Sequence, residues 1–145
     1  MAFNRKQLVF FFASFFAAAF VLNFCWESWH GLLYKDHKAL AASRYVPMMV
    51  RMAFMDALSV IGIYLFTSLF SGRVVWYPGE RTLVYFLLAG TVPAYLVEYY
   101  AVNVLFAWAY TPSMPLVFRV GLTPLVQLPL TGLLSLMIAL RHVER

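Results

Sequence analysis

Hydrophobic positions in this chain form long runs without charge, not the short alternating patterns of strands in soluble proteins. The runs cover residues 8–26, 57–72, 82–97, 99–118 and 120–140. About 20 consecutive apolar residues cross the hydrocarbon core of a bilayer as an α-helix. The pattern therefore predicts several membrane-spanning helices.

Five runs do not mean five helices, because only Glu98 separates the third run from the fourth and no turn signal surrounds it. We expect those two runs to form one helix that carries a buried acid. The break comes at Pro112 and Pro115, two prolines that a helix cannot continue through. Thr123 is expected as the N-cap of the last helix, with Pro124 at its first position.

The predicted fold is an all-α, integral membrane four-helix bundle, a single transmembrane domain over residues 1–145. Its spans are expected at about 8–34, 47–71, 82–108 and 123–141. Four spans place both termini on one side of the membrane and the connections near 35–45 and 112–115 on the other. The terminal side carries six basic residues and the other side five, of which Arg51 lies inside a helix, so we expect cytoplasmic termini.

Composition supports this class and excludes others. Hydrophobic residues make up 63% of the chain and charged residues 12%, too few charges to cover the core of a soluble domain. A single cysteine excludes an internal disulfide. The net charge of +5 fits lipid headgroups and the cytoplasmic side of a membrane, and we expect no nucleic-acid partner.

Polar side chains recur at helical spacing in the first predicted span. Asn23, Glu27, His30 and Tyr34 stand four, three and four residues apart, which places them on one face of a continuous helix. The opposite face carries Phe, Trp and Leu. The spacing predicts that the polar face points into the bundle.

The other spans carry polar groups at a similar depth. Asp56 and Glu98 are each 17 residues from a basic residue of the terminal side, or about 25 Å across a core of about 30 Å. Gln127 comes out at about 21 Å and Glu27 at about 31 Å. We therefore expect one convergent site, with the three carboxyl groups in one cavity.

An ionised carboxylate in a bilayer is costly unless it is paired, hydrogen-bonded or protonated. Three acids at one site are more than packing requires, and we expect a protonated acid beside an ionised one, as acid/base catalysis needs. His30 would move or orient the proton. The structural alternative is that Arg51 forms an ion pair with Asp56 or Glu27, while His30 is solvated.

A methionine-rich face is a weaker candidate for chemistry. Met48, Met52 and Met55 share one face of the second span. The residues that would complete a Cu(I) site with them are Cys25, His30 and Met114. Gap filling between helices is the favoured interpretation of these methionines, and we expect no metal and no cofactor.

Two segments carry a resemblance to a known family. Residues 23–27 read N-F-C-W-E and residues 108–115 read W-A-Y-T-P-S-M-P. They resemble a family of small, functionally uncharacterised bacterial membrane proteins with N-x-x-W-E and W-x-Y-x-x-x-M-P motifs. The resemblance implies a bacterial inner membrane, and no reaction. It groups the following residues as one set: Asn23, Glu27, Asp56, Glu98, Trp108, Tyr110 and Gln127.

The function expected from these patterns is acid/base catalysis within the membrane, of the isomerase, cyclase or hydratase type, on an isoprenoid or lipid. The expected catalytic residues are Glu27, Asp56, Glu98 and His30. The expected substrate-binding residues are Asn23, Tyr34, Asn103, Trp108, Tyr110 and Gln127. The alternatives are a small proton-coupled transporter and an accessory subunit of a membrane complex. The expected partner is a membrane lipid or an apolar small-molecule substrate. A second copy of the chain or a larger membrane complex is left open as a protein partner.

Overall fold

The structure is a computed structural model that describes residues 3–143. Its helices are α1 (Arg5–His30), α2 (Ala42–Ser71), α3 (Glu80–Asn103) and α4 (Leu122–Val143). All four are long and apolar enough to cross a membrane. The predicted all-α four-helix bundle is confirmed, and the chain is a multi-pass membrane protein.

The remaining elements are short and lie in the connections. Two single 3₁₀ turns, Gly31–Leu33 and His37–Ala39, follow α1. Between α3 and α4, β1 (Leu116–Val117) and β2 (Val120–Gly121) form an antiparallel hairpin.

Helix α2 begins five residues before Pro47, where the sequence predicted its start. The earlier turn is held by Tyr45, whose amide donates to the carbonyl of Ala41 at 3.0 Å and whose hydroxyl donates to the carbonyl of Ser28 at 2.9 Å. Pro47 therefore lies inside the helix, close enough to its N-terminus to remove only one intrahelical hydrogen bond.

Helices α3 and α4 also differ from the expected bounds. Helix α3 ends at Asn103 and not near 108, because the chain reverses at Phe106, which has a φ of 53°. The amide of Ala107 then donates to the carbonyl of Ala101 at 2.9 Å. Thr123 lies inside α4 and does not cap it, since its hydroxyl is directed to the Met114 sulfur at 3.2 Å.

An aromatic core fills the end of the bundle that carries the termini. Tyr64 of α2 packs against Phe11 and Phe15 of α1 with ring centroids 5.6 and 5.1 Å apart, and stacks on Trp76 at 4.9 Å. These side chains and Phe86 of α3 are at most 2% exposed. Such pairs add to the free energy gained from apolar burial and fix the helices relative to each other.

Helix α4 is the most enclosed of the four. In its most apolar segment 56% of the residues are buried, compared with 17–28% in the corresponding segments of the other helices. Close contact with α3 requires Gly90, because a Cβ atom there would lie 3.1 Å from Cδ and 3.3 Å from the backbone nitrogen of Pro129. A Cβ atom on Gly132 would lie 2.8 Å from the ring of Phe86. Small residues thus bring α4 against its neighbours, which positions Gln127 inside the bundle.

The two longer connections close over the opposite end of the bundle together. The amide of Lys35 donates to the carbonyl of Ala109 at 2.9 Å, and the amide of Thr111 donates to that of Leu33 at 2.8 Å. The two connections therefore lie at one end, as the sequence predicts.

Candidate functional site

One polar cluster surrounds the Gln127 carboxamide in the middle of the bundle. Its Nε2 lies 2.7 Å from Glu27 Oε1, 2.8 Å from Asp56 Oδ2 and 3.1 Å from Asn23 Oδ1. An amide nitrogen has two hydrogens, so three acceptors compete for two donors. We call Asn23, Glu27, Asp56, Gln127 and Thr131 the Gln127 cluster.

Helical spacing produces this cluster, as the sequence indicated for α1. Asn23, Glu27 and His30 are at most 5% exposed and face the interior together. Thr131, one turn after Gln127, donates to Asn23 Oδ1 at 3.1 Å. The sequence places Thr123, Gln127 and Thr131 one turn apart in the last span, but Thr131 was not among the expected catalytic or substrate-binding residues.

The two acids of the Gln127 cluster are direct neighbours. Because both carboxyl oxygens lie within 2.8 Å of the same nitrogen, they are no more than the sum of the two distances, 5.5 Å, apart. Two carboxyl groups thus share one amide donor in a buried setting.

The ion pair between Arg51 and an acid, the structural alternative, is wrong. Arg51 is exposed on α2, and within residues 3–143 the sole contact of ion-pair type is between His30 and Glu27, with Nδ1 3.9 Å from Oε1. His30 is 3% exposed, so it is not solvated at the interface either. The acids are held by hydrogen bonds and not by a fixed cation.

A second polar cluster surrounds Glu98 at the end of α3. Tyr34 donates to Oε1 at 3.2 Å, while Trp108 and Tyr110 donate to Oε2 at 3.2 and 2.5 Å. We call these four residues the Glu98 cluster. Three donors converge on one carboxylate, an arrangement that stabilises its ionised form.

The donors of the Glu98 cluster come from the two paired connections. Burial, followed by the nearby charge of Glu98, raises the pKa of the Tyr34 phenol. Burial, followed by the hydrogen bond to Glu98, raises the pKa of the Tyr110 phenol. Both hydroxyl groups therefore keep their protons at neutral pH and remain donors.

His30 lies between the two clusters. Its Nδ1 faces Glu27 at 3.9 Å, and its ring centroid is 5.5 Å from that of Tyr34, whose hydroxyl reaches Glu98. Nδ1 approaches the Trp26 carbonyl, but it is buried without a well-formed hydrogen bond to any described residue. The three acids thus occupy two linked clusters, where a single shared cavity was expected.

Other sequence candidates lie outside both clusters. Asn103 donates to the backbone carbonyls of Tyr99 at 3.2 Å and Arg119 at 3.4 Å, and it forms no hydrogen bond with an acid of residues 3–143. Met52 and Met55 are 40% and 56% exposed on the outer surface of α2. In the part of the chain that is described, no group of three or more His, Cys, Asp or Glu side chains is arranged to hold a metal ion.

The site offers a pair of adjacent acids, Glu27 and Asp56, an amide that orients them, and a histidine next to them. The Glu98 cluster adds a carboxyl group with three fixed donors. Comparison of the chain with family models, with curated proteins and with solved structures gives no match.

Proposed function

We propose that this protein is an enzyme that performs acid/base chemistry within the membrane, of the isomerase, cyclase or hydratase type, on an isoprenoid or lipid. The observation that carries the proposal is the Glu27–Asp56 pair around one amide nitrogen, with no Lys or Arg ion pair to either acid within residues 3–143. Two ionised carboxylates so close in a membrane interior would repel strongly, so the pair holds one proton.

A pair of acids with one proton is suited to moving a double bond. The protonated acid adds its proton to one alkene carbon, and the ionised acid removes a proton from a carbon next to the cation formed. Glu27 and Asp56 then have exchanged roles, with one proton still between them. Because the two carboxyl oxygens contact the same amide nitrogen, that proton returns between them without passing through bulk water.

The other residues have supporting roles in this proposal. Gln127 and Asn23 orient the two acids, and Thr131 fixes Asn23. His30 connects the acid pair with the Glu98 cluster. When the reaction is a hydration, the attacking water gives its proton to the ionised acid, so the pair still holds one proton. Trp108 and Tyr110 close the polar end of the site around the substrate.

The setting proposed for this enzyme is the bacterial inner membrane with cytoplasmic termini, on the motif resemblance and the distribution of basic residues. A proton-coupled transporter is the second candidate. It is favoured by one specific observation, the series of groups from Glu27 through His30 and Tyr34 to Glu98. An accessory subunit is the third interpretation, and it needs none of these contacts.

The decisive experiment compares lipid extracts from cells that lack the protein and cells that overproduce it, with Asp56→Asn as the test variant. Glu80→Gln is the matched control, because Glu80 is an exposed acid in the first turn of α3. We expect the wild type and Glu80→Gln to change the lipid profile and Asp56→Asn to leave it unchanged at equal expression. Glu98→Gln should also abolish the change.

Two results would contradict the enzyme proposal. One is a lipid profile that does not respond to the wild-type protein. The other is full activity of Asp56→Asn. Purified protein in vesicles of the extracted lipid distinguishes the enzyme from the transporter. An enzyme forms product without any proton gradient, whereas a proton-coupled transporter forms no product.

A further inference from the structure

Asp56 is the least buried member of the Gln127 cluster. The other four, Asn23, Glu27, Gln127 and Thr131, are at most 5% exposed, whereas Asp56 is only partly buried. Its side chain therefore lies at the edge of the site, where a molecule outside the bundle can contact it.

The exposed side of Asp56 is defined by its neighbours on α2. Ala53 and Val60, three residues before and four after it, lie on one side of Asp56 and are fully buried. Met52 and Ser59, four residues before and three after it, lie on the other side and are exposed. Asp56 thus stands at the boundary between the buried face of α2 and one exposed edge.

This exposed edge of α2 is the edge toward α3. Phe70, five helical turns after Met52 and on the same side, stacks on Tyr85 of α3 with ring centroids 5.0 Å apart. Phe54 lies on the other side of α2 and packs against Phe16 of α1 with ring centroids 5.5 Å apart. The open side of Asp56 therefore faces the space between α2 and α3.

Apolar side chains form the α3 wall of this space. Val92 and Leu96, 7 and 11 residues after Tyr85 on the same face, are 50% and 60% exposed. Leu96 is 15 residues after Arg81, or about 22 Å from the terminal side, and Asp56 is at about 25 Å, both within a core of about 30 Å. The open side of Asp56 thus faces lipid hydrocarbon.

The surroundings of the two acids differ, and the difference assigns their single proton. Glu27 is enclosed by polar groups, with Gln127 Nε2 at 2.7 Å and His30 Nδ1 at 3.9 Å from its Oε1. Asp56 also contacts Gln127, but within residues 3–143 it has no ion pair, and its open side meets lipid tails. Since hydrocarbon cannot solvate an anion, the negative charge is more stable on Glu27 and the proton on Asp56.

We infer that Asp56 holds the proton before the reaction, and that an alkene of the substrate reaches it from the lipid phase between α2 and α3. This inference rests on the proposed function and adds the direction of approach and the role of each acid. Asp56 gives its proton to an alkene carbon, and the proton that Glu27 removes from the resulting cation returns to Asp56. The pair therefore ends the cycle as it began.

The test uses dicyclohexylcarbodiimide, an apolar reagent that partitions into lipid, on the purified full chain in lipid nanodiscs. The reagent adds to a protonated carboxyl group without a leaving group, and the adduct rearranges to a stable N-acylurea that mass spectrometry maps. We expect modification of Asp56 and none of Glu27, and loss of the modification in Asp56→Asn.

A water-soluble, cationic carbodiimide, with glycine ethyl ester as the trapping amine, tests access from water. We expect it to modify the exposed acids Asp36 and Glu80 and to leave Asp56 unmodified. Modification of Glu27 in place of Asp56 by the apolar reagent would overturn the inference. So would equal modification of Asp56 by both reagents, or no modification of Asp56 in a protein with intact helices.

Ser59→Phe tests the direction of approach, because it places a ring one turn from Asp56 on the side toward α3. Leu58→Phe is the matched control, since Leu58 is 45% exposed on the face of α2 that points away from Asp56. We expect Ser59→Phe to lose most of the Asp56 modification and Leu58→Phe to retain it, at equal helix content by circular dichroism. Met52→Trp, one turn before Asp56 on the same side as Ser59, repeats the test. Equal rates of modification in these variants and the control would contradict an approach between α2 and α3.

The outcome is separable from the proposed function. Modification of Asp56 in a protein that leaves cellular lipids unchanged would mean that the proton and the direction of approach are correct and the reaction is wrong. A changed lipid profile without modification of Asp56 would mean the reverse.

Discussion

Removing the Tyr110 hydroxyl tests the Glu98 cluster most directly. Its hydrogen bond to Oε2 of Glu98, at 2.5 Å, is shorter than the 3.2 Å bonds from Tyr34 and Trp108. A hydrogen bond to a charged group contributes about 1.5–3 kcal/mol. Because Trp108 still donates to the same oxygen, Tyr110→Phe should lower the free energy of unfolding by about 2 kcal/mol and not by the larger cost of an unpaired buried charge.

The assay is reversible unfolding of the purified protein in mixed micelles titrated with dodecyl sulfate, followed by circular dichroism. Tyr95→Phe is the control, because the Tyr95 hydroxyl donates to a neutral backbone carbonyl, that of Phe118, at a longer distance of 3.4 Å. It should change the free energy of unfolding by about 0.5 kcal/mol or less. Equal effects of the two substitutions would refute the reasoning.

A double-mutant cycle isolates the pair itself. Combining Tyr110→Phe with Glu98→Gln should give a coupling energy of about 1–3 kcal/mol, as neighbours in one hydrogen-bond network do. Strict additivity would mean that the phenol and the acid do not interact, whatever each substitution does alone.

Three further predictions concern other parts of the molecule, and a fourth concerns the pH dependence at Tyr110. Gln127→Leu removes the donor shared by two buried acids and should cost about 3–5 kcal/mol in the same titration, and a change below about 1 kcal/mol would contradict the contacts. Gly132→Ala should lower the free energy of unfolding by about 1–3 kcal/mol, because the added Cβ meets the Phe86 ring. Gly62→Ala, with open space around it, should leave the free energy of unfolding unchanged or raise it. A loss of stability in both variants, or in neither, would contradict this packing. Reporter tags at the two termini should lie in one compartment and a tag within residues 35–44 in the other, and termini in opposite compartments would exclude four spans. Burial is the main cause that raises the pKa of the Tyr110 phenol, so its tyrosinate absorbance should appear only above the ordinary tyrosine pKa of about 10. The contribution of this phenol to the free energy of unfolding is fully present below that pH and is lost as the pH rises through the higher pKa of the folded state.

The sequence predicted the parts of the fold that depend on helical period. Four spans followed from the length of the apolar runs, and the face of Asn23, Glu27 and His30 followed from their spacing. Depth counting also brought Asp56 and Gln127 to the level of that face, and the structure places them in contact. These inferences hold because the position of a side chain on a rigid helix is fixed by its residue number.

The parts that could not be predicted depend on tertiary contacts between loops. Counting depth gave Glu98 the same level as Asp56, but not the direction of its side chain, which the Tyr34, Trp108 and Tyr110 donors determine. The hairpin after α3 was also missed, because its turn at Phe118 has a φ of 47° without the Gly or Asn that usually marks such a turn. The backbone pairing of β1 with β2 holds the turn in spite of that local preference.

The division of the bundle into an aromatic end and a polar end explains why catalysis and stability should be separable here. The rings of Phe11, Phe15 and Tyr64 fix α1 against α2 without involving any of the three acids. Glu27 and Asp56 therefore approach each other because the backbone places them there, although this placement requires one of them to be protonated. It follows that Asp56→Asn, which removes this requirement and keeps the shape, should preserve or raise the free energy of unfolding while abolishing proton transfer. A residue retained for packing would show the opposite result, a loss of stability. Among the described residues no ion pair holds Asp56 in place, so its substitution breaks none.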